Sequence, residues 1–462
     1  MEVRAPWDGA LVGTQGMAGP RDLDDALTAA RAAFARTVRL PTHVRQAFLR
    51  VLAEAVRADR EGLATLLARE AGKPIALART EADRAALTFT LAAEEAGRWG
   101  GSFLPLDLSP GSAGAGALVT RVAAGPVLAI TPFNFPLNLV AHKLAPAFAL
   151  GAPVVLKPAG QTPLTALRLA DHVYGACEAV PEVPRAILSV VPCDTEAAQG
   201  LVEDPRLAVL SFTGSARVGW MLRSRAGSKR VLLELGGNAA AVVMPDADLE
   251  PTLGRIVAGA YGFAGQVCIK VQRVFVHRDV AEGFTEALVG RTAAVKAMDP
   301  MDPAALMSCL IDAGAARRVR QWVDEAVAAG AQRRVGSPGK DNRVEATVLT
   351  GAVAGMKVYD EEVFGPVVTV EPFAQLDEAI GRINAGRYGL QAGIFTRDLG
   401  AILAAYHGLE VGGLIVGDAP TFRSDAMPYG GVKDSGVGRE GVRSAMEDMS
   451  DARTLVLRNY FG

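Results

Sequence analysis

The sequence predicts an α/β protein built from two doubly wound parallel-sheet domains. From residue 126 onward, short apolar runs typical of buried strands alternate with helical segments, as expected for parallel sheets covered by helices on both faces. Before that point, apolar side chains recur at helical spacing. With 462 residues the chain is also too long for one ordinary domain, so two large domains or one interleaved pair are expected.

The first third of the chain is predicted to be helical. Four apolar residues between Leu23 and Ala30 fall on one helix face, and the ranges 42–70 and 78–99 carry similar stripes. Residues 106–126, rich in Gly, Ser and Pro, break this pattern and predict exposed ribbon strands or a linker. The runs predicted as strands are PVLAIT, APVVLKP, AILSVV, LAVLSF, VLLEL, AAVVM, VFVH, VVTV, AGIF and GLIV.

Composition excludes several classes of protein. Apolar residues make up 50% and charged residues 21% of the chain, which is a globular composition. A net charge of −2 gives no global attraction for nucleic acid or anionic membranes. The N-terminus lacks the apolar run of a signal peptide, and polar residues and prolines interrupt the longest apolar region, 122–156, so a cytoplasmic protein is expected. Four cysteines without CxxC spacing make a disulfide framework or a structural zinc site improbable, and no metal is expected.

Two glycine- or lysine-bearing segments are candidates for cofactor binding. In LSFTGSARVG a strand runs into a turn from Gly214 to Gly219 and then into a helix, where backbone amides and the helix N-terminus favour a pyrophosphate. In VVLKPAGQTP, Lys157 ends an apolar strand, where it could bind a ribose or a phosphate. Taken alone, the glycines more often serve packing or capping, and the lysine more often is a solvated charge.

Three further segments suggest carbonyl chemistry. Cys268 follows a turn of small residues and could attack an aldehyde, although a lone cysteine is usually a buried apolar residue. Glu234 ends a strand before two glycines and could deprotonate the thiol or a hydrolytic water, although a strand-end glutamate is commonly a surface residue. Asn134 lies between prolines, where its amide stabilises either a turn or a developing oxyanion. These segments are persuasive only together.

Taken together, the motifs resemble the aldehyde dehydrogenase superfamily. The resemblance extends from about residue 20 to 455 and is carried, in the family's order, by PFNFPLNL, LKPAGQTP, FTGSARVG, LELGGN, GQVC, EEVFGPV and MPYGGVKDSGVGRE. It implies a non-acylating enzyme that uses NADP or NAD to oxidise an aldehyde to a carboxylic acid. The aldehyde first forms a thiohemiacetal and then a thioester on Cys268, and Glu234 is the base for hydrolysis.

The resemblance also implies roles for other residues. Asn134 and the backbone amide of Cys268 form the oxyanion hole, and Lys143 and Glu440 serve in proton relay or structural support. Glu362 holds the nicotinamide ribose and Phe364 the ring. The complete set of implied cofactor positions is Thr131, Pro132, Phe133, Lys157, Gly160, Gly214, Ser215, Gly219, Leu235, Gly236, Glu362 and Phe364.

The family's architecture implies a division of the chain. The NAD(P)-binding domain is expected at 1–103 with 124–236, and the catalytic domain at 237–435. A β-ribbon made of 104–123 and 450–462 is expected to mediate assembly into homodimers or homotetramers, since an unpaired sheet edge invites a partner strand.

Two departures from the family's pattern affect specificity. Many NAD⁺-preferring members carry a glutamate three residues after the lysine of the KP motif, where this chain has Gly160, so NADP⁺ is predicted to be accepted alongside NAD⁺.

His142 and Arg423 replace aromatic positions of relatives that oxidise apolar aldehydes, which predicts a short polar or anionic substrate held by Arg423 with help from His142. However, Val267 stands where anion-directed members often carry an arginine. The positions assigned to substrate binding are Asn138, His142, Val267, Ile269, Arg423 and Tyr429.

Three alternatives remain at this stage. A CoA-acylating dehydrogenase would pass the acyl group to CoA instead of water, and the retained Glu234 favours hydrolysis. A non-catalytic binding or structural member of the fold is disfavoured by the joint presence of Cys268, Glu234 and Asn134. A generic dinucleotide-binding reductase is disfavoured because the chain lacks a clear strand-linked G-x-G-x-x-G unit with its distal acid.

Overall fold

A computed structural model describes residues 1–458. The helices are α1 Pro20–Thr37, α2 Thr42–Ala58, α3 Arg60–Ala71, α4 Ile75–Arg98, α5 Asn138–Leu150, α6 Pro163–Ala179, α7 Thr195–Glu203, α8 Ala216–Arg225, α9 Leu249–Tyr261, α10 Arg278–Ala293, α11 Ala313–Ala328, α12 Lys357–Asp360, α13 Leu376–Asn384, α14 Leu399–Gly408 and α15 Val442–Asp448. The predicted helical stripe at 42–70 is thus two helices that meet at Asp59. Within residues 1–458, no helix combines the length and apolar character that crossing a membrane requires.

Each of the ten predicted apolar runs coincides with a strand, and these are half of the twenty strands in residues 1–458. The strands are β1 Glu2–Arg4, β2 Leu11–Thr14, β3 Ser102–Pro105, β4 Gly116–Ala123, β5 Val127–Ile130, β6 Val154–Lys157, β7 Leu188–Val190, β8 Val209–Thr213, β9 Arg230–Glu234, β10 Ala240–Val243, β11 Arg273–His277, β12 Gln332–Val335, β13 Thr347–Thr350, β14 Val367–Phe373, β15 Tyr388–Gly389, β16 Gln391–Phe395, β17 Gly413–Val416, β18 Val432–Lys433, β19 Gly436–Val437 and β20 Ser450–Leu457.

The first large sheet has six strands in the order β19-β9-β8-β5-β6-β7. All neighbours are parallel except β19, which runs antiparallel to β9. One face packs on a core that includes α2 to α6, and the other packs on α1, α7 and α8. Because the chain leaves β5 first toward β6 and later returns to its other side with β8, a crevice opens at the carboxyl ends of β5 and β8, where doubly wound proteins bind ligands.

The second large sheet has seven strands in the order β12-β13-β14-β11-β10-β16-β17, and only β12 is antiparallel to its neighbour. Helices α9 to α11 contribute to the core on one face, and α13 and α14 to the core on the other. The predicted fold class, α/β with two doubly wound parallel sheets, is therefore confirmed. The two sheets are joined through β19, because the chain returns from the second sheet to pair Gly436 with Glu234.

A three-stranded antiparallel sheet, β20-β4-β3, forms a ribbon beside the two large sheets. Strand β20 pairs with β4 along eight residues, from Ser450 opposite Ala123 to Leu457 opposite Gly116. Leu118, Leu455 and Val456 are exposed on it. The predicted ribbon segments thus contain paired strands, although residues 459–462 of that prediction lie outside the described residues.

Candidate active site

A cavity of about 940 Å³ lies between the two large sheets, at the carboxyl ends of β5, β6, β8 and β9. Carboxyl ends of parallel strands share one edge of a sheet, so the loops that follow these four strands converge on the cavity. The opposite wall comes from segments that precede β11, follow α12 and precede β18. Cys268, Glu234 and Asn134 all line it.

Cys268 lies three residues after a 3₁₀ turn, Gly262–Gly265, in which Phe263 and Ala264 adopt left-handed backbone angles with φ of 52° and 54°. Its Sγ is 3.1 Å from the hydroxyl oxygen of Tyr429. Burial, with the nearby negative charge of Glu234, raises the pKa of the Cys268 thiol to about 12. The thiol is therefore neutral at rest and needs a base before it can attack.

Glu234 is the last residue of β9, and its side chain is buried. Its Oε1 atom is buried and accepts no hydrogen bond from residues 1–458. Burial first, and then repulsion from Glu440, raise the pKa of Glu234 well above the ordinary carboxyl value. A carboxyl group with a raised pKa and an unpartnered oxygen beside a neutral thiol has the properties of a general base.

Behind Glu234 lies a buried cluster of charged side chains. Glu440 accepts hydrogen bonds from Lys143 Nζ at 3.3 Å and from Arg423 Nη2 at 2.8 Å, and Lys143 also donates to Ser211 Oγ at 3.1 Å. Burial opposes ionisation of Glu440, but Lys143 and Arg423 outweigh it, and the pKa of Glu440 falls to about 2. Of the two neighbouring glutamates, Glu440 therefore holds the negative charge and Glu234 holds a proton more readily.

Asn134 follows β5 in the rigid segment TPFNFP, and its side chain is buried. Its Nδ2 atom donates a hydrogen bond of 2.9 Å to the carbonyl oxygen of Gln266, two residues before Cys268. The amide carries a second N–H, which this bond does not use. The loop of Asn134 and the loop of Cys268 are therefore connected directly.

Eleven of the twelve implied cofactor positions line the cavity. The exception is Gly219, inside α8, where a Cβ atom would collide with the side chain of Leu235, so this glycine permits helix packing. Two observations fit a dinucleotide in this part of the cavity. The hydroxyl of Thr131 is buried without a hydrogen-bond partner in residues 1–458, and a Cβ atom at Gly160 would meet no atom within 4 Å.

Glu362 and Phe364 lie on the wall opposite Thr131. Burial raises the pKa of Glu362 to about 7, and its Oε1 accepts a hydrogen bond of 3.1 Å from the backbone of Gly237. Phe364 has a left-handed φ of 46° and meets the ring of Phe133 edge-on, with centroids 5.9 Å apart. Backbone strain of this kind is common beside ligands.

Five of the six positions assigned to substrate binding line the cavity: Asn138, Val267, Ile269, Arg423 and Tyr429. His142 is not among the described lining residues, although it lies one turn of α5 beyond Asn138. It is buried, and its Nε2 is 2.8 Å from Oδ1 of Asp425. Burial and then Arg423 lower the pKa of His142, so this ring is a neutral support for Asp425.

Arg84 also lines the cavity, although no sequence pattern indicated it. Helix α4 carries three arginines, and no motif or periodicity separates Arg84 from the others. Arg84 binds Asp425 through two atoms, Nε at 2.9 Å and Nη2 at 2.6 Å. Asp425 also accepts a hydrogen bond of 3.2 Å from Asn138. Other lining residues without an assigned role include Thr195, Gln199, Arg217, Arg318, Trp322, Arg387 and Tyr388.

The side chain of Arg423 is buried, whereas arginines in loops are usually solvated. Its guanidinium carbon lies 3.8 Å from the centre of the Tyr429 ring, and its Nε is buried with no hydrogen-bond partner in residues 1–458. Of the arginines that line the cavity, Arg84 and Arg423 pair with the buried carboxylates of Asp425 and Glu440, and their side chains are 24% and 7% exposed.

Comparison with known proteins agrees with this geometry. The sequence model of the aldehyde dehydrogenase family matches residues 1–455. The 3-sulfolactaldehyde dehydrogenase of Priestia aryabhattai is 42% identical over 437 residues, which cover 94% of this chain and 90% of that protein.

Two solved structures have nearly the same fold. Aldehyde dehydrogenase 21 from Physcomitrella patens, in complex with the reaction product succinate, is 39% identical with a TM-score of 0.97, covering 99% of this chain and 95% of that one. Glyceraldehyde-3-phosphate dehydrogenase GapN from Methanocaldococcus jannaschii, complexed with NADP, is 33% identical with a TM-score of 0.95, covering 99% of both chains. The chain belongs to the aldehyde dehydrogenase family and is an NAD(P)-dependent oxidoreductase.

Proposed function

We propose that the protein oxidises a short aldehyde bearing an anionic group to the carboxylic acid, with NADP⁺ or NAD⁺, and that Cys268 carries the acyl group. The observation that carries this proposal is the convergence of Cys268, Glu234 and Asn134 on one cavity that two arginines, Arg84 and Arg423, also line.

The first step is attack of sulfur on the aldehyde carbon. Because the Cys268 thiol is neutral, its proton must leave, and the unpartnered Oε1 of Glu234 accepts it. The new bond joins Sγ to the carbonyl carbon, and the carbonyl electron pair moves to oxygen. The unused N–H of Asn134 donates a hydrogen bond to that oxygen as its negative charge develops.

A bound nicotinamide cofactor would supply the hydride acceptor for oxidation of the thiohemiacetal on Cys268 to a thioester. The residues that would hold the cofactor are those around Thr131, Lys157 and the N-terminus of α8 on one wall, with Glu362 and Phe364 on the other.

Hydrolysis of the thioester again requires Glu234. Once the proton taken from Cys268 has passed to solvent, the Glu234 carboxylate takes a proton from water, and the water oxygen bonds to the acyl carbon. The bond to Sγ then breaks, and Glu234 returns the proton to the sulfur, which releases the acid and regenerates the Cys268 thiol. The buried, ionised Glu440 raises the pKa of Glu234 and thereby its basicity, while Lys143 neutralises part of the charge of the cluster.

Arg84 and Arg423 offer N–H groups to an anion at the substrate end of the cavity. Asp425 pairs with Arg84 and Glu440 pairs with Arg423, so these charges balance, but within residues 1–458 the Nη1 atom of Arg84 has no partner, and neither has Nε of Arg423. These N–H groups suit a carboxylate, sulfonate or phosphate oxygen. The sulfonate of sulfolactaldehyde, the carboxylates of succinate and the phosphate of glyceraldehyde 3-phosphate, named for the relatives, support this class of substrate.

The substitution Arg84→Met tests the substrate class. We expect kcat/KM for succinate semialdehyde to fall about 10- to 100-fold, because one or two charge-assisted hydrogen bonds are lost. For butyraldehyde, which has no charge at that end, kcat/KM should change by less than about threefold. Initial rates of reduced-cofactor formation with both aldehydes provide the measurement. Arg84 is a better test than Arg423, whose removal would also expose Glu440 and Tyr429.

Arg98→Met is the matched control, because Arg98 lies on the same helix and is exposed. It should leave the rates with both aldehydes unchanged. An equal loss with charged and neutral aldehydes in Arg84→Met would contradict an anion site, as would a wild-type preference for the neutral aldehyde.

Gly160→Glu tests the choice of cofactor. The open space beside Gly160, near Lys157, leaves room for a 2′-phosphate, whereas a glutamate there would repel that phosphate. We expect the substitution to lower kcat/KM for NADP⁺ about tenfold or more while that for NAD⁺ is kept or improved. Gly160→Gln, of similar size without charge, separates repulsion from steric exclusion. Wild-type enzyme with a kcat/KM for NAD⁺ more than about 100-fold above that for NADP⁺ would contradict the proposed acceptance of NADP⁺.

We also propose that the ribbon of β3, β4 and β20 mediates assembly of homodimers or homotetramers. Exposed apolar side chains on the ribbon, among them Leu118, Leu455 and Val456, support this assignment. The proposed domain division stays as the family's pattern implies it, with 1–103 and 124–236 around the first sheet and 237–435 around the second.

A further inference from the structure

A buried ion pair lies beneath the two loops that carry Asn134 and Cys268. Lys73, between α3 and α4, pairs with Glu81 on α4, and their side chains are 1% and 0% exposed. Burying two charges is costly, and apolar residues of similar volume often stabilise a protein as well or better. The contacts of this pair therefore matter more than its contribution to stability.

Glu81 determines where helix α5 begins. Its Oε1 atom accepts hydrogen bonds from the backbone N–H groups of Leu137 at 2.9 Å and Asn138 at 3.1 Å. These are among the N–H groups that a helix start leaves without a partner, and a carboxylate there also interacts favourably with the helix dipole. Asn134 lies only three residues before Leu137, so Glu81 fixes the end of its loop.

Lys73 contacts both loops through aromatic rings. Its Nζ lies 3.6 Å from the ring centre of Phe135 and 4.7 Å from that of Phe263. Phe135 is the residue after Asn134, and Phe263 belongs to the left-handed turn that precedes Gln266. The ammonium group thus holds the two segments whose direct link is the hydrogen bond from Asn134 to Gln266.

We propose that Lys73 and Glu81 are positioning residues that hold the amide of Asn134 at the correct distance from Cys268 for the developing oxyanion. Neither residue is among the described lining residues of the cavity, so they act through the Asn134 loop. The inference rests on the proposed role of Asn134. Small displacements of such a donor reduce the rate of the chemical step more than they reduce substrate binding.

A double-mutant cycle of Lys73→Met and Asn134→Ala tests this proposal. Asn134→Ala should lower kcat about 100-fold. Lys73→Met should lower kcat about tenfold or more and change KM by less than about threefold. If Lys73 acts through Asn134, Lys73→Met should cause no further loss in the Asn134→Ala background. The rate at which iodoacetamide alkylates Cys268 should stay within about threefold of wild type, because that reaction needs no oxyanion donor.

Lys296→Met, at an exposed lysine, is the control and should behave as wild type. If Lys73→Met does not fold, Glu81→Gln takes its place in the cycle, since it removes the charge and keeps a carbonyl oxygen for the two N–H groups. Equal losses in both backgrounds would overturn the inference and leave the proposed function intact, and so would a parallel loss of alkylation rate. A normal kcat in Asn134→Ala would instead contradict the proposed role of Asn134 itself.

Discussion

Replacing Cys268 by alanine is expected to lower kcat with every aldehyde by about 10,000-fold or more, because the variant lacks the thiol on which the thioester forms. Of the cysteines in the chain, Cys268 alone lines the cavity among the described residues, and its Sγ lies beside Tyr429 rather than in a closed apolar core. The measurement is reduced-cofactor formation with succinate semialdehyde. Mass spectrometry of acid-quenched wild-type enzyme should find the acyl group on the peptide that contains Cys268.

Cys177→Ser is the matched control, because Cys177 is buried on α6 away from the cavity. It should retain full activity. Fluorescence titration should find cofactor binding by Cys268→Ala within about threefold of wild type, since the thiol is not needed to hold the dinucleotide. Residual turnover above about 1% in Cys268→Ala would contradict covalent catalysis by this residue.

Replacing Glu234 by glutamine is expected to lower steady-state kcat about 100-fold or more at neutral pH. The substitution keeps the size of the side chain and removes a carboxylate that interacts with the Cys268 thiol, whose pKa is about 12. Both formation of the thiolate and activation of water should be slower. Stopped-flow measurement of reduced-cofactor formation separates the two steps, because the first turnover reports acylation and later turnovers report hydrolysis.

The pH dependence supplies a second signature of Glu234. Because burial and Glu440 raise its pKa, the base form is lost as pH falls through a value above the ordinary carboxyl range, and wild-type kcat should fall there. In Glu234→Gln this inflection should disappear, and the first-turnover rate should rise about tenfold per pH unit as hydroxide ionises Cys268. An unchanged inflection in the variant would assign the base to another residue.

Addition of CoA distinguishes hydrolysis from acyl transfer in the same experiments. Because the geometry places a base beside the thiol, the product of the wild-type enzyme should be the free acid, and CoA should not increase the rate. The restoration of turnover in Glu234→Gln by CoA would indicate a CoA-acylating enzyme.

Much of the fold could be predicted because its signals are local. The runs PVLAIT and AAVVM each contain a complete strand, and both lie between segments that the sequence marks with glycine or proline. Alternation of such runs with helices is sufficient to predict two parallel sheets. The short strands β12, β13, β15, β18 and β19 were not predicted, because their pairing partners, rather than their own composition, define them.

The sequence by itself determined the family and the reaction class, because its short motifs follow one another in a fixed order. The candidate nucleophile, base and oxyanion donor each lie in one of these motifs. Their roles stay predictions until the variants are measured. The sequence also indicated an anion-binding arginine, Arg423, but it did not indicate Arg84. Arg84 lines the cavity and pairs with Asp425, 341 residues later in the chain.

Only the tertiary structure decided the charge states of the buried side chains and which side chains they contact. Glu440 lies beside Glu234 because β19 returns to pair with β9. Burial and then this proximity raise the pKa of Glu234, while Lys143 and Arg423 lower that of Glu440. Tertiary packing likewise turned His142 away from the cavity to support Asp425. Desolvation and charge interactions depend on distances between segments that are remote in sequence, so no local motif can encode them.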